Sequence, residues 1–445
     1  MSRKFFWCSL ILVSVQLRSM SQEKTGILTL QRAVETAITN NLDVKQSGLQ
    51  QETAEAFLKQ SRGSLLPSLN ASIDHTWNKG RSLAFDNSYI NQENTTAFYS
   101  INSNLTLFNG LRLLNTLKSN QFAFEASRME WQQSKDRVML DVILAYLDIL
   151  TNTDLLAQAY LQAEVTQKQI ERLEILNQSG AIKPSDLYDV RGQMGENKLT
   201  IINNQNNLNA AKLRLAQLMQ VPYDENLQVE RLTADQFDMN YVATVDSIYG
   251  VALQQLPLVK GTELRKKSAE KGFQAAKGGL YPTIGLGAGY NTQFFSTATD
   301  TANNKISYRD QLSNNYNTYA GIGISIPILN GFRSRTQVTL AKISLKNANY
   351  VLENTQIQLK QAIERDHLNM DAALNRYKAL VDQVSALTES FRAAEIRFNA
   401  GVGTSIDYLT VKAIIDRANA NLIIARYDYV LRTKILDYYL AKPLW

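Results

Sequence analysis

The apolar positions of this chain change period several times, in an order that repeats. Leu30, Val34, Ala37, Ile38 and Leu42 fall at three- and four-residue spacing, which predicts an amphipathic helix. The period then drops to two. In "PSLNASIDHTW", Leu69, Ala71, Ile73 and Trp77 alternate with Asn70, Ser72 and Asp74. In "AFYSINSNLTLF", Tyr99, Ile101, Leu105 and Leu107 alternate with Ser100, Asn102, Asn104 and Thr106. Further on, Ile284, Leu286, Ala288 and Tyr290 alternate with Thr283, Gly285, Gly287 and Asn291, and Ile322, Ile324, Ile326 and Ile328 alternate with Gly321, Gly323, Ser325 and Pro327. The pattern predicts four strands of roughly ten residues, each with one apolar face and one small or polar face. Such strands fit a transmembrane barrel; a half-buried sheet in a soluble α+β protein has the same alternation. The polar segments Asn78–Thr96 and Thr292–Asn315 are expected to be long loops on one side of the sheet.

After each strand pair the helical period returns. Leu111–Ser179 and Phe332–Ala400 are each 69 residues long and contain neither Gly nor Pro. As single helices each would reach about 100 Å at 1.5 Å per residue; the alternative is a break in each. Both stretches end at a glycine, Gly180 or Gly401, suited to a left-handed cap. A helix then restarts within a few residues. In "GVGTSIDYL", Thr404 and Asp407 form a capping pattern. In "GAIKPSDLY", Lys183 stands at the capping position, Pro184 at the first helical position and Asp186 at the third, where a carboxylate meets the positive end of the helix dipole. The returning helices are expected to run to about Met219 and Tyr439.

The order repeats because the sequence is written twice. Asn109-Gly110 and Asn330-Gly331 lie 221 residues apart, and this offset also matches Glu174 with Glu395, Gly180 with Gly401 and Asp186 with Asp407. Upstream the offset is 215, where "GSLLPSLNAS" from Gly63 lies opposite "GGLYPTIGLG" from Gly278. The resulting division is a signal peptide at 1–21, a first repeat at 22–220, a connector at 221–245, a second repeat at 246–440 and a tail at 441–445.

Composition narrows the chemistry. Arg3 and Lys4 precede an apolar run of about eleven residues, which reads as a secretion signal cleaved before Gln22. Cys8, the single cysteine, falls inside that signal, so the mature chain should have no disulfide and no Cys-ligated metal. The signal carries three positive charges, and the mature net charge is +6 − 3 = +3. That is too mild for a nucleic-acid partner, and acids and bases are interspersed. No later segment is apolar enough for a transmembrane helix. The two histidines, His75 and His367, lie in different repeats without a surrounding ligand cluster. "GLGAG" from Gly285 fits small residues in a strand better than a phosphate loop. No enzyme activity, cofactor or metal is expected.

Four membrane strands cannot close a barrel, and a bilayer tolerates no open sheet edge. Barrels begin at about eight strands. Small polar inward faces suit a water-filled lumen, which favours three subunits and twelve strands. Asn109, Gly110, Asn330 and Gly331 then mark where each membrane strand becomes a tube helix.

This arrangement resembles the TolC-like outer-membrane efflux and secretion ducts. The carriers are the paired "LLPSL" and "LYPTI" strand starts, the "LFNG" and "ILNG" junctions, and the turns "GAIKPSDLYDV" and "GVGTSIDYLTV". The resemblance implies a mixed α and β homotrimer: a twelve-stranded outer-membrane β-barrel, four strands per protomer, continued by a long periplasmic α-helical barrel. It implies a passive exit duct, with a periplasmic adaptor and an inner-membrane pump of RND, ABC or MFS type as partners. It places an acidic constriction at Asp407 and the position of Thr410, which departs from the acidic pattern; Asp186 and Asp189 correspond to them in the first repeat. It also makes Gly180, Ala181, Lys183, Pro184, Gly401, Val402, Gly403 and Thr404 the adaptor-facing turns. Asp186 and Asp407 also serve as helix caps, and the two roles can coexist. The alternative from another class is a secreted periplasmic helical scaffold without channel activity.

Overall fold

The computed structural model describes residues 27–83, 86–231 and 241–444. The expected signal peptide and part of the connector lie outside the described residues. Among them, nine helices and four strands follow in the order α1 (Leu30–Asn40), α2 (Leu42–Gly63), β1 (Ser68–Leu83), β2 (Tyr89–Phe108), α3 (Arg112–Gln178), α4 (Pro184–Met219), α5 (Val245–Gln255), α6 (Pro257–Gly278), β3 (Thr283–Phe295), α7 (Tyr308–Asn314), β4 (Asn317–Ser325), α8 (Arg333–Asn399) and α9 (Ser405–Tyr439).

The helices come in matching pairs. α1 and α5 have 11 residues each, α2 and α6 have 22, and α3 and α8 have 67. Their local causes match as well. Thr29 caps α1 by accepting from Arg32 N, and Thr244 caps α5 by accepting from Ser247 N. Ala33 and Ala37 of α1 are fully buried, and so are Ile248 and Ala252 at the corresponding places in α5.

α3 and α8 are each unbroken, as the absence of Gly and Pro predicts. Neither has a single apolar stripe along its whole length, because its neighbours change on the way. α3 packs on α2 and α6 along one half and on α4 and α9 along the other. Its most densely buried stretch, from Val138 to Leu150, lies in between, in a core shared with α1, α4 and α9. A second core joins α5, α8 and α9 around Ile248, Ile363 and Leu436. A third, at the far end, joins α3, α4, α8 and α9 around Leu173, Val190, Phe398 and Tyr408.

The strands form one antiparallel sheet in the order β1-β2-β3-β4, with β1 and β4 as its edges. Two expectations need correction. Asn78–Thr96 is mostly strand, not loop: β1 has 16 residues and β2 has 20. Polar residues continue the ladder because they pair across it. Lys79 lies opposite Glu93, with Nζ 3.1 Å from Oε2, and Trp77 Nε1 donates to Glu93 Oε1 at 3.2 Å. β4, by contrast, has 9 residues and stops at Ser325, so Ile326 and Ile328 fall outside it. Pro327 has no N–H to give a ladder. The segment Thr292–Asn315 contains the end of β3 and the short helix α7. Buried Gln311 pins α7 to the strand by accepting from Phe295 N and donating to Phe295 O and Ile306 O.

Candidate functional site: a polar sheet face and two helical turns

Residues directly opposite in a ladder share a face, so the register sorts the sheet. Ile73 pairs with Tyr99, Ala71 with Ile101, Ile101 with Tyr290, and Leu286 with both Leu105 and Ile322. The apolar positions of all four strands therefore share one face. Leu69, Ile73, Trp77, Ile322 and Ile324 on it are more than half exposed.

The opposite face carries small and polar groups. Ser72 and Ser100 hydroxyls are 2.8 Å apart, Asn102 Nδ2 donates to Ser100 Oγ at 3.1 Å, and Tyr319 donates to Asn102 Oδ1 at 3.1 Å. Gly289 makes this possible: a Cβ there would stand 2.5 Å from both Asn102 Oδ1 and a Tyr319 ring carbon. The tyrosine lies across the glycine in the next strand, a packing that offsets the missing side chain. Gly285, Gly287, Gly321 and Gly323 keep the rest of the face shallow. "GLGAG" is thus strand β3, as its composition predicts.

The two Asn-Gly pairs sit at the ends of the long helices. Both turns use two successive left-handed residues, Gly110 (φ 66°) and Leu111 (φ 62°), then Gly331 (φ 62°) and Phe332 (φ 59°). Asn109 is buried, and its Oδ1 accepts from Leu113 N at 3.2 Å. Asn330 is exposed, and its amide donates to Ser334 Oγ at 2.7 Å.

At the other end, α3 and α8 close with the same cap. Ala181 N bonds to Leu176 O and Gly180 N to Asn177 O; Val402 N bonds to Arg397 O and Gly401 N to Phe398 O. Both glycines are left-handed, at φ 72° and 73°, which completes a Schellman motif in each case. The restarts differ. Thr404 and Asp407 form a full capping box, while Lys183 offers no side-chain cap and Pro184 opens α4. The hydrogen bond from the Thr404 hydroxyl, then that from its backbone N–H, holds the exposed Asp407 carboxyl below its ordinary range. Gly403 has a separate reason to be glycine, since a Cβ would stand 3.3 Å from Phe398 N.

The structure brings these two turns together at one end of the molecule, around the third core. Gly180, Ala181, Lys183, Pro184, Gly401, Val402 and Thr404 are exposed there, and Gly403 is half-buried. Asp407, Asp189 and Thr410 are exposed and Asp186 is half-buried. Asp189 is also engaged: Ser405 Oγ donates to its Oδ2 at 2.8 Å, linking α4 to α9.

Several polar ties here are not among the residues singled out from the sequence. Arg172 Nη2 donates to Asn399 O at 2.6 Å, and Gln169 Nε2 to Asn399 Oδ1 at 3.3 Å, so α3 holds the end of α8. Lys412 is buried and pairs with Asp416 at 2.6 Å. Burial holds the Asp416 carboxyl above its ordinary range against the pull of that ammonium. The Lys412–Asp416 spacing of four residues was the available signal; the ties to Asn399 cross between segments and leave none. Tyr408 stacks on Phe398 at 5.0 Å between ring centres, and its buried hydroxyl has no partner among the described residues. Burial pushes that phenol up.

Among the described residues no group of His, Cys, Asp or Glu could hold a metal ion, and no helix is long and apolar enough to cross a membrane. His75 is exposed on β1, and His367 Nε2 lies 3.2 Å from Ala243 O.

Comparison with known proteins agrees with this geometry. Residues 33–220 and 248–440 match the sequence model of the family described as "Outer membrane efflux protein". The outer membrane protein TolC of Escherichia coli is 23% identical over 404 residues, covering 90% of this chain and 80% of that protein. The outer membrane protein VceC of Vibrio cholerae has a TM-score of 0.80 at 15% identity, over 94% of this chain and 97% of that one. The open state of the Neisseria gonorrhoeae MtrE outer membrane channel has a TM-score of 0.75 at 16% identity, over 93% and 88%.

Proposed function

This chain belongs to the outer membrane efflux protein family, and we propose that three copies of it assemble into one closed conduit. It is an outer-membrane efflux duct, a non-enzymatic channel whose helices extend into the periplasm. One observation carries the assembly: a four-stranded sheet with two open edges, apolar on one face and polar on the other. Lipid provides no partner for unpaired backbone groups at the edges, so the sheet must be closed by other copies. Three copies give twelve strands, an even-numbered barrel wide enough for a water-filled lumen. The apolar face meets lipid, and the Ser, Asn and Gly face lines the lumen. A scaffold that stays in water would leave Leu69, Ile73 and Ile322 exposed without purpose.

The matched helices are read as a duplication. Each protomer contributes two strand pairs and two helical hairpins, and three protomers make a tube of near-sixfold form. A 67-residue helix is about 100 Å long, which carries the tube far below the membrane. The turns at Gly180 and Gly401 form its far end. There Asp407, Asp186 and Asp189 face the passage as a constriction, with Thr410 replacing a fourth carboxylate. Gly180 to Pro184 and Gly401 to Thr404 meet a periplasmic adaptor, which joins the duct to an inner-membrane pump. That pump supplies the energy and sets the cargo.

The test is the mass of detergent-extracted protein, corrected for bound detergent, together with conductance in a planar bilayer. A mass three times that of the chain without its signal, which weighs 50.1 kDa before cleavage, together with stepwise conductance supports the reading. A monomer that stays in solution without detergent overturns it.

A further inference from the structure

The register that sorts the sheet into two faces also sorts its charges. Across all four strands the polar face carries amides, hydroxyls, glycines and a few apolar side chains. Among the described residues, Asp74 is the one carboxylate on it, and it holds no Lys, Arg or His. Ser72 and Thr76 flank Asp74 along β1, and Phe98 and Gln293 follow it across β2 and β3. None of these can neutralise it. Asp74 is exposed and has no hydrogen-bond or ion-pair partner among the described residues.

The other ionisable groups of the strands are turned the opposite way. His75, Lys79 and Arg81 follow Ile73 at two-residue steps, so they share the apolar face. Glu93 lies opposite Lys79 there and pairs with it, and Arg81 lies over the Tyr89 ring at 4.4 Å. Helix α7, which carries Arg309 and Asp310, is on the apolar side as well. Thr292 Oγ1 donates to Leu312 O at 2.8 Å, and Phe294 meets Tyr308 at 4.6 Å between ring centres. Thr292 and Phe294 lie opposite Tyr99 and Ala97 of that face. Asp is disfavoured in strands, and no local contact of Asp74 offsets that cost. The fold itself gives this position no reason to be charged.

We infer that Asp74 sets the charge preference of the exit: three copies place three carboxylates at one level of an otherwise neutral lumen, favouring cationic solutes over anionic ones. The inference rests on the proposed three-copy barrel and adds the residue that discriminates within it. Rings of charged side chains select ions by sign. Twelve strands about 4.8 Å apart and tilted about 40° give a backbone radius of roughly 12 Å, so each carboxylate stands roughly 8 Å from the axis. The screening length is about 30 Å in 0.01 M salt, about 8 Å at physiological strength and about 3 Å at 1 M. The field therefore fills the bore in dilute salt and is confined to the wall in concentrated salt. This level is remote from Asp407, because the sheet and the far turns lie at opposite ends of α3, about 100 Å apart.

The experiment measures the cation-to-anion permeability ratio of the full-length, detergent-extracted protein in a planar bilayer under a KCl gradient. D74N should lower the ratio at least about twofold in dilute salt, and the difference should vanish near about 1 M. D74K should turn the preference towards anions. A second variant reads the position in protein already folded. D74C, made with Cys8→Ser so that its thiol is the only one, is treated with methanethiosulfonate reagents. The sulfonate-bearing reagent should restore the cation preference, and the trimethylammonium-bearing one should reverse it. A wild-type ratio in D74N, or the same ratio with either reagent on modified D74C, overturns the inference and leaves the duct standing. Wild-type protein that gives no conductance overturns the duct reading itself.

Discussion

The turn at Gly110 and the turn at Gly331 have nearly the same backbone and very different surroundings. Both place a glycine and then a large apolar residue in the left-handed region. At the first, the backbone of Gly278 fills the space a side chain would need; at the second, that space is empty. The comparison separates two demands on a glycine that sequence merges: permission to turn, which both positions need, and room for a neighbour, which only the first needs within one chain.

Substitution can split these demands. G110A should be the most damaging change, because its Cβ clashes with backbone on top of the unfavourable φ; a loss of roughly 3 kcal/mol or more is expected, read as loss of folded protein in a denaturant or thermal series. G331A should cost the isolated chain only the left-handed penalty, about 1–2 kcal/mol. The flanking asparagines extend the contrast. N109A removes a buried acceptor for Leu113 N and should cost about 1–2 kcal/mol, whereas N330A, at an exposed side chain, should fall within about 0.5 kcal/mol.

The far ends offer the smallest and most local effects. T404A removes one capping partner and should fray the first turn of α9 by about 1 kcal/mol, while K183A, which removes no side-chain cap, should leave α4 unchanged. Amide exchange at Asp407 and Asp186 would read both. Asp407 adds a pH signature. Its folded-state carboxyl is depressed below the ordinary 3.8, so its contribution is present above that value and is lost as pH falls through the folded one. The fraying of α9 should appear there, and T404A should move it to higher pH.

The long helices, the glycine caps and the paired offsets were legible in the sequence because each is a local or periodic property. Lys183 without a side chain cap, Pro184 opening α4 and Asp407 closing the box on Thr404 could all be read from a few neighbouring residues. The length of β1 and β2 could not. Lys79 and Glu93 look like loop residues until the register sets them opposite each other. The ties of Arg172 and Gln169 to Asn399 were hidden for the same reason, since segments 230 residues apart share no local pattern. The two turns could be read as the ends of helical hairpins, and the bonds that hold the hairpins together could not.

The unbroken run of α3 has a mechanical consequence. No glycine or proline interrupts it between Arg112 and Gln178, so it has no internal hinge. Its firmest grip is the buried stretch ending at Leu150, 28 residues before Gln178. That leaves an arm of about 42 Å at 1.5 Å per residue. A tilt of only about 5° at the grip swings the hairpin end by about 4 Å, more than the reach of any hydrogen bond that ties it. The helix works as a lever, and the bonds from Arg172 and Gln169 to Asn399 sit near the end of its arm, where a small force suffices to resist a tilt at the grip.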